Sequence, residues 1–284
     1  MKKVLILGGT GMLGHMLYNY LNKSNNFQLF NLCHSVKLND DSVLCNVTNQ
    51  EETSNIIQNI APDIIVNCIG VLISGSNKNI QRAIYLNAYF PHWLKDLCDT
   101  FHTKLIHIST DCVFDGNTGG YDEESQPNAL DLYGKTKSLG EFNSKEHLCI
   151  RTSIIGPELK TVGEGLLHWL FQQKGVIYGY KNVLWSGVTT LELSKAIEYS
   201  IEHEIFGLWN LTNGIPISKY TLLEKLLKAF NVAGVELKED ANKTSNKTLK
   251  SKRRIGFQVL SYEKMLNDLA VYYFENQNHY KYKL

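Results

Sequence analysis

The chain opens with its most constraining feature, the apolar run Lys3-Val4-Leu5-Ile6-Leu7 followed at once by Gly8-Gly9-Thr10-Gly11-Met12-Leu13-Gly14. The run has a strand's length, and the spacing continued by Leu17 and Leu21 is helical, so the first segment reads as strand, tight turn, helix. Glycines at 8, 11 and 14 permit the turn, let a pyrophosphate approach the backbone and let the helix pack on the strand. The helix N-terminus then offers oriented N–H donors to an anion. A glycine motif alone is equally well a structural turn, but one placed directly behind a strand points to dinucleotide binding.

At 284 residues the chain has room for a sizeable core and for one or two domains. A net charge of +1 leaves no electrostatic footprint for nucleic acid. No apolar run reaches the roughly 18 residues of a membrane span, and the basic start leads into a strand rather than a signal peptide. The reading is therefore a cytoplasmic protein with no membrane partner. Six cysteines contain no C-x-x-C pair and several sit in strand-like runs, which favours buried reduced thiols over disulfides or zinc. His102, His107, His147 and His203 are scattered without ligand spacing, so no metal is expected.

Strand candidates follow at Phe27 to Leu32, Ser42 to Cys45, Asp63 to Cys68, Lys104 to Ser109 and Leu148 to Arg151, with helical patterns near 50 to 60, 80 to 100 and 131 to 146. Such alternation implies an α/β fold, a Rossmann-type doubly wound parallel sheet with right-handed crossovers. Thr48-x-x-Glu51 and Thr189-x-x-Glu192 read as capping boxes. Ligand residues belong beyond the carboxyl ends of the strands, where Gly8, Asn67, Thr110 and Ser153 fall. Past residue 152 longer helices (Gly165 to Gln173, Leu191 to His203, Lys219 to Phe230) suggest a smaller C-terminal α/β substrate lobe. The expected division is 1–152 and 153–284, with strands from about 176–210 returning to the sheet. The lysine-rich stretch Lys238 to Arg254 reads as a solvated linker, with a phosphate-contacting loop as the other option.

Tyr133 and Lys137 stand four apart in Leu132-Tyr133-Gly134-Lys135-Thr136-Lys137, hence on one face of a helix. A free tyrosine titrates near about 10, and a neighbouring cation is expected to move it toward working pH. Such a phenol exchanges a proton with a carbonyl or alcohol oxygen. The match is cheap in a chain with 15 tyrosines, and a solvated helix face explains it as well. Its company, the glycine turn and His107-Ile108-Ser109-Thr110-Asp111, is what points to hydride transfer. Hydride addition builds negative charge on oxygen, which a phenol and a hydroxyl stabilise without metal or covalent nucleophile.

The G-x-x-G-x-x-G spacing resembles the extended short-chain dehydrogenase/reductases, and the wider pattern resembles the dTDP-4-dehydrorhamnose reductase family. That resemblance runs through Ala61-Pro62-Asp63-Ile64-Ile65-Val66-Asn67, Leu86-Asn87-Ala88, Ser109 to Gly116, Tyr133 to Lys137 with Gly140-Glu141, and Arg151-Thr152-Ser153. It implies a catalytic set of Thr110, Tyr133 and Lys137: Thr110 bonds the substrate carbonyl, Tyr133 delivers its proton, and Lys137 holds the nicotinamide ribose. It further implies cofactor contacts from Gly8, Thr10, Gly11, Met12, Leu13, Gly14, His34, Ser35, Asn46, Val47, Cys68, Ile69, Gly70, Asn87, Ser109, Ser153 and Ile154. Substrate contacts would come from Val71, Asp111, Cys112, Tyr133 and Trp185. The function implied is reduction, by NADPH with NADH as the other option, of the C4 ketone of a nucleotide-linked 4-keto-6-deoxyhexose, with a homodimer left open.

Departures from that family matter as much. Related 4,6-dehydratases carry a glutamate where Cys112 stands, and a thiol with a reference pKa of about 8.5 is no obvious replacement. Rhamnose-forming reductases place an aromatic at that position and a tryptophan where Ile154 stands, so the pocket is expected to be wider, admitting a UDP-linked 2-acetamido sugar beside dTDP-4-dehydrorhamnose. Trp185 and Trp169 are the side chains that could refill it. The second strand is followed by Cys33-His34-Ser35-Val36-Lys37 with no carboxylate, which favours a 2'-phosphate and hence NADPH. Two other functions stay open: a dinucleotide-binding regulatory subunit without turnover, and a sugar-nucleotide 4-epimerase.

Overall fold

The structure, a computed structural model, describes residues 1–282. Its first half alternates as the sequence suggests: β1 (Lys2–Leu7), α1 (Met12–Ser24), β2 (Phe27–Cys33), β3 (Val43–Leu44), α2 (Gln50–Ile60) and β4 (Ile64–Asn67). Then come α3 (Ile73–Lys78), α4 (Ile80–Ala83), a π-helical turn over Ile84–Tyr89, α5 (Phe90–Phe101), β5 (Lys104–Ile108), α6 (Leu132–Leu139) and β6 (Leu148–Arg151). The second half holds β7 (Ile154–Ile155), α7 (Leu166–Phe171), β8 (Gly175–Trp185), β9 (Val188–Thr189), α8 (Thr190–Glu202) and β10 (Gly207–Asn210). It ends with β11 (Ile217–Ser218), α9 (Lys219–Ala229), β12 (Val235–Asn246) and α10 (Tyr262–Glu275).

Seven parallel strands form the central sheet in the order β10-β6-β5-β4-β1-β2-β3. β1 is buried on both faces, which is why its sequence is uniformly apolar rather than alternating. Val4 and Ile6 join the cluster of Met16, Leu17 and Leu21 on one side, while Leu5 and Leu7 join Ile57, Phe90 and Leu94 on the other. Because strand order reverses between β1 and β4, a crevice opens beyond their carboxyl ends.

Several expectations shift. The cap of α2 is Asn49, one residue past Thr48: its Oδ1 accepts from Glu52 N at 3.3 Å and its Nδ2 donates to Glu52 Oε2. Thr189 does cap α8, accepting from Glu192 N at 3.1 Å, but the Glu192 carboxylate turns to Lys195 and Leu260 N. The helix expected to run to 146 stops at Leu139. Gly140 caps it, and the chain then turns to bring Glu141 against Ser109 and Arg151. Of the stretch 176–210, only β10 joins the central sheet. β8 pairs with β11 and β12 in a separate sheet, its alternate residues covering α9 or facing water.

Much of the lysine-rich stretch is not linker, since β12 runs parallel to β8 from Val235 to Asn246 with a shift of register after Asp240. A polar edge strand has few apolar positions to betray it. α10, whose Met265, Leu266, Leu269 and Tyr273 are buried, also escaped the sequence reading. The six cysteines are free thiols. Among the described residues no helix is long and apolar enough to cross a membrane.

Candidate active site

The glycine turn is built as its sequence requires. Gly8 has φ +83°, and its N–H and that of Gly9 both donate to Leu32 O on β2. At Gly14 an added Cβ would lie 2.1 Å from Gly8 O, so a larger residue would push α1 off the turn. The N-cap of α1 is Gly11, with no side-chain cap. Uncapped first-turn N–H groups in a cradle that a Cβ would fill suit a pyrophosphate. Gly8 also packs on the Cys68 carbonyl and Ile69, so the β4 loop borders the same cradle. Thr10, Met12 and Leu13 stand in this turn and at the start of α1. Exposed His34 and Ser35 follow β2. Asn46, exposed, and Val47, buried, follow β3.

Tyr133 and Lys137 share the inner face of α6, which Asp131 caps by accepting from Gly134 N at 2.9 Å. Gly134 lets the helix press against the turn that carries Thr110, its missing Cβ lying 2.2 Å from Cys112 O. The Thr110 hydroxyl accepts from Cys112 N at 3.1 Å, donates to Asp111 Oδ1 at 3.2 Å and faces the Tyr133 phenol. Lys137 is 4% exposed and donates to Ile108 O at 2.7 Å.

Burial reverses one expectation. The phenol of Tyr133 is held well above its usual range, chiefly by desolvation, with the Thr110 hydrogen bond opposing that rise. The lysine is itself lowered to about 8 by burial, which leaves it cationic at neutral pH. A phenol that stays protonated is the state a carbonyl reduction draws on, because the proton moves from tyrosine to oxygen. Burial also raises Asp111, against the fields of Lys219 and Lys247, and pushes the Cys112 thiol up to about 12, so Cys112 is no base.

Three expected ligand residues have side-chain polar atoms bonded within the protein. Asn87 is fully buried with its amide committed, Oδ1 accepting from Val71 N and Nδ2 donating to Val71 O and Thr136 Oγ1. It clamps the Gly70-Val71 loop onto α6. Ser109 Oγ donates to Glu141 Oε1 at 2.6 Å, beneath the site. Trp185 is 2% exposed and donates from Nε1 to Ser153 Oγ at 2.9 Å. Ile154, partly buried, starts β7 beside Val188.

The sequence reading missed Lys219, whose ammonium lies 5.3 Å over the Trp185 ring. It also missed the division of labour in the basic stretch. Lys252 pairs with Asp122 and Glu124, and Arg253 Nη1 donates to Leu208 O. Among the described residues, Asp99, Glu146 and His147 group as metal ligands would. His147 Nδ1 accepts from Leu105 N, however, so Nε2 carries the proton it shares with Asp99 and has no lone pair for a metal.

The model of the family described as RmlD substrate binding domain matches residues 1–272. Methionine adenosyltransferase 2 subunit beta of Danio rerio is 31% identical over 178 residues, 61% of this chain and 54% of that protein. The match thus spans about half the length of that relative. Spore coat polysaccharide biosynthesis protein SpsK of Bacillus subtilis is 25% identical, covering 92% of this chain and 90% of its own. In fold, the chain is similar to dTDP-4-dehydrorhamnose reductase from Bacillus anthracis in complex with NADP, with TM-score 0.82, 22% identity and coverage of 96% and 99%.

Proposed function

The chain belongs to the RmlD substrate binding domain family, and from that premise we propose that it is an NADPH-dependent sugar-nucleotide ketoreductase. It reduces the C4 ketone of a nucleotide-linked 4-keto-6-deoxyhexose. The observation that carries this reading is the convergence of the Thr110 hydroxyl and the protonated Tyr133 phenol, with the Lys137 cation on the same helix face. The Tyr133 hydroxyl, and the Thr110 hydroxyl once its single proton turns from Asp111 Oδ1, can both donate to one oxygen and so stabilise the alkoxide as it forms. A nicotinamide dinucleotide held by Lys137 and the start of α1 would supply hydride when bound. Tyr133 gives the proton to O4, Thr110 holds that oxygen, Lys137 holds the ribose, and the uncapped start of α1 takes the pyrophosphate.

The test is a panel of 4-keto-6-deoxy sugar nucleotides, made in situ, with NADPH consumption and product configuration as readouts. Steady consumption with one configuration at C4 is the expected result. Absence of turnover on every member, with dinucleotide still bound, would favour the regulatory reading raised by the methionine adenosyltransferase subunit. Tightly retained NAD with no net oxidation would favour a 4-epimerase.

NADPH is the expected reductant because no carboxylate stands at the end of β2, where exposed His34 and Ser35 are free to meet a 2'-phosphate. One charge-assisted contact is worth about 1.5–3 kcal/mol, so kcat/KM should favour NADPH by roughly tenfold or more. A ratio favouring NADH would reject this assignment.

Trp185 is buried with its Nε1 on Ser153, and Trp169 stands 38% exposed on α7, so in this proposal neither replaces the bulk missing at Cys112 and Ile154. The pocket then admits a UDP-linked 2-acetamido ketosugar as well as dTDP-4-dehydrorhamnose. Cys112→Tyr combined with Ile154→Trp should therefore penalise the acetamido substrate by about tenfold more than the hydroxyl one, a loss typical of overpacking at about 1–3 kcal/mol. Equal losses in kcat/KM on both would return the assignment to rhamnose.

A further inference from the structure

We propose that Lys219, at the start of α9, and Lys247, just past β12, form the site that holds the diphosphate of the nucleotide sugar. The identity of the ligand rests on the ketoreductase reading; the presence of an anion site does not. Lys219 is the first residue of α9, immediately after β11, and β11 pairs antiparallel with β8 so that Ile217 lies opposite Trp185. That register sets the ammonium over the indole, whose own N–H is fixed on Ser153 at the end of β6. Lys247 follows β12, and Asn246 N donates to Gly116 O at 2.6 Å. The Lys247 stem packs on Gly116, just past the turn that carries Asp111 and Cys112. Two cations, one at the start of α9 and one just past β12, thus approach the residues that follow Thr110.

Their surroundings leave them short of negative charge. Among the described residues neither ammonium has a carboxylate within 4.0 Å, whereas Lys250 and Lys252 nearby are paired with Asp122. Asp111 is the acidic group both lysines face, and burial disfavours its ionised form. A cation packed on an aromatic face and sharing one distant carboxyl is under-compensated, and a phosphoryl oxygen completes it through charge-assisted hydrogen bonds. The covalent layout of the substrate agrees. A hexose held with C4 at Thr110 and Tyr133 carries its phosphate on C1, across the ring, so groups outside the catalytic helix have to meet it.

The experiment titrates the full chain with dTDP, UDP and inorganic pyrophosphate, following tryptophan fluorescence, to which Trp185 beneath Lys219 contributes, and calorimetric heat. The nucleoside diphosphates should bind, and Lys219→Met and Lys247→Met should each weaken them about tenfold or more, with Lys219→Arg within about threefold of the parent. NADPH affinity should not move. Should Lys219→Met fail to fold, Lys247→Met and the loss of parent affinity on raising ionic strength carry the same test. Failure of the parent to bind any of the three probes, or unchanged affinity in the variants, overturns the site. Diphosphate binding that behaves as stated, without turnover of any ketosugar, supports the anion site and rejects the ketoreductase reading.

Discussion

Tyr133→Phe should lower kcat by about two to four orders of magnitude, the contribution of a positioned general acid, while dinucleotide affinity stays within about twofold. Phenylalanine keeps the ring on the same face of α6 and removes only the hydroxyl that faces Thr110. The phenol is held protonated by burial, so the loss should persist across neutral pH rather than being recovered by raising it. Lys137→Ala should behave differently. It empties a buried site on the same face, removes the bond to Ile108 O, and so damages both kcat and cofactor affinity. Single-turnover rates with saturating NADPH, alongside equilibrium binding of the dinucleotide, separate the two outcomes. Near-normal turnover in the phenylalanine variant would take Tyr133 out of its role.

Arg151→Met should cost about 3–5 kcal/mol of stability, because it leaves a buried carboxylate without its partner. Arg151 and Glu141 are 3% and 7% exposed and meet in a two-point pair, Nε to Oε1 at 2.8 Å and Nη2 to Oε2 at 2.6 Å. The same Glu141 oxygen accepts from Ser109, next to Thr110, and the guanidinium lies 5.2 Å over Phe114, which stacks on Tyr121. Loss of the arginine therefore loosens the end of β5 that presents Thr110. For a chain of this size the melting temperature should fall by about 5–8 °C. Arg151→Met with Glu141→Gln should recover part of that loss, since a neutral amide tolerates burial better than an unpaired charge. A drop of under about 1 kcal/mol by denaturant unfolding would show that the pair does not hold this end of the sheet.

The sequence by itself determined the parts of this protein whose geometry is local. Val4 to Leu7 are apolar at every position because both faces of β1 are covered, and Gly8 and Gly14 are required by a positive φ and a backbone contact inside one turn. Tyr133 and Lys137 share a face because a helix repeats every 3.6 residues. These relations are carried by contiguous residues, so pattern and spacing expose them, and the family pattern drew Thr110 into the same set. Tertiary structure alone decided where polar atoms find partners. Asn87 and Ser109, which resemble ligand contacts in sequence, are consumed by Val71 and Glu141, and Trp185 is withdrawn into the core. Lys219 and Lys247 gain their place opposite Asp111 only because β11 and β12 flank β8, a pairing between segments far apart in the chain. β12 itself has a polar sequence that reads as linker, and becomes a strand because β8 supplies its hydrogen-bond partners. A side chain's hydrogen-bonding capacity is written in its own residue, but what satisfies it depends on which distant segment packs against it, and no spacing in the sequence encodes that.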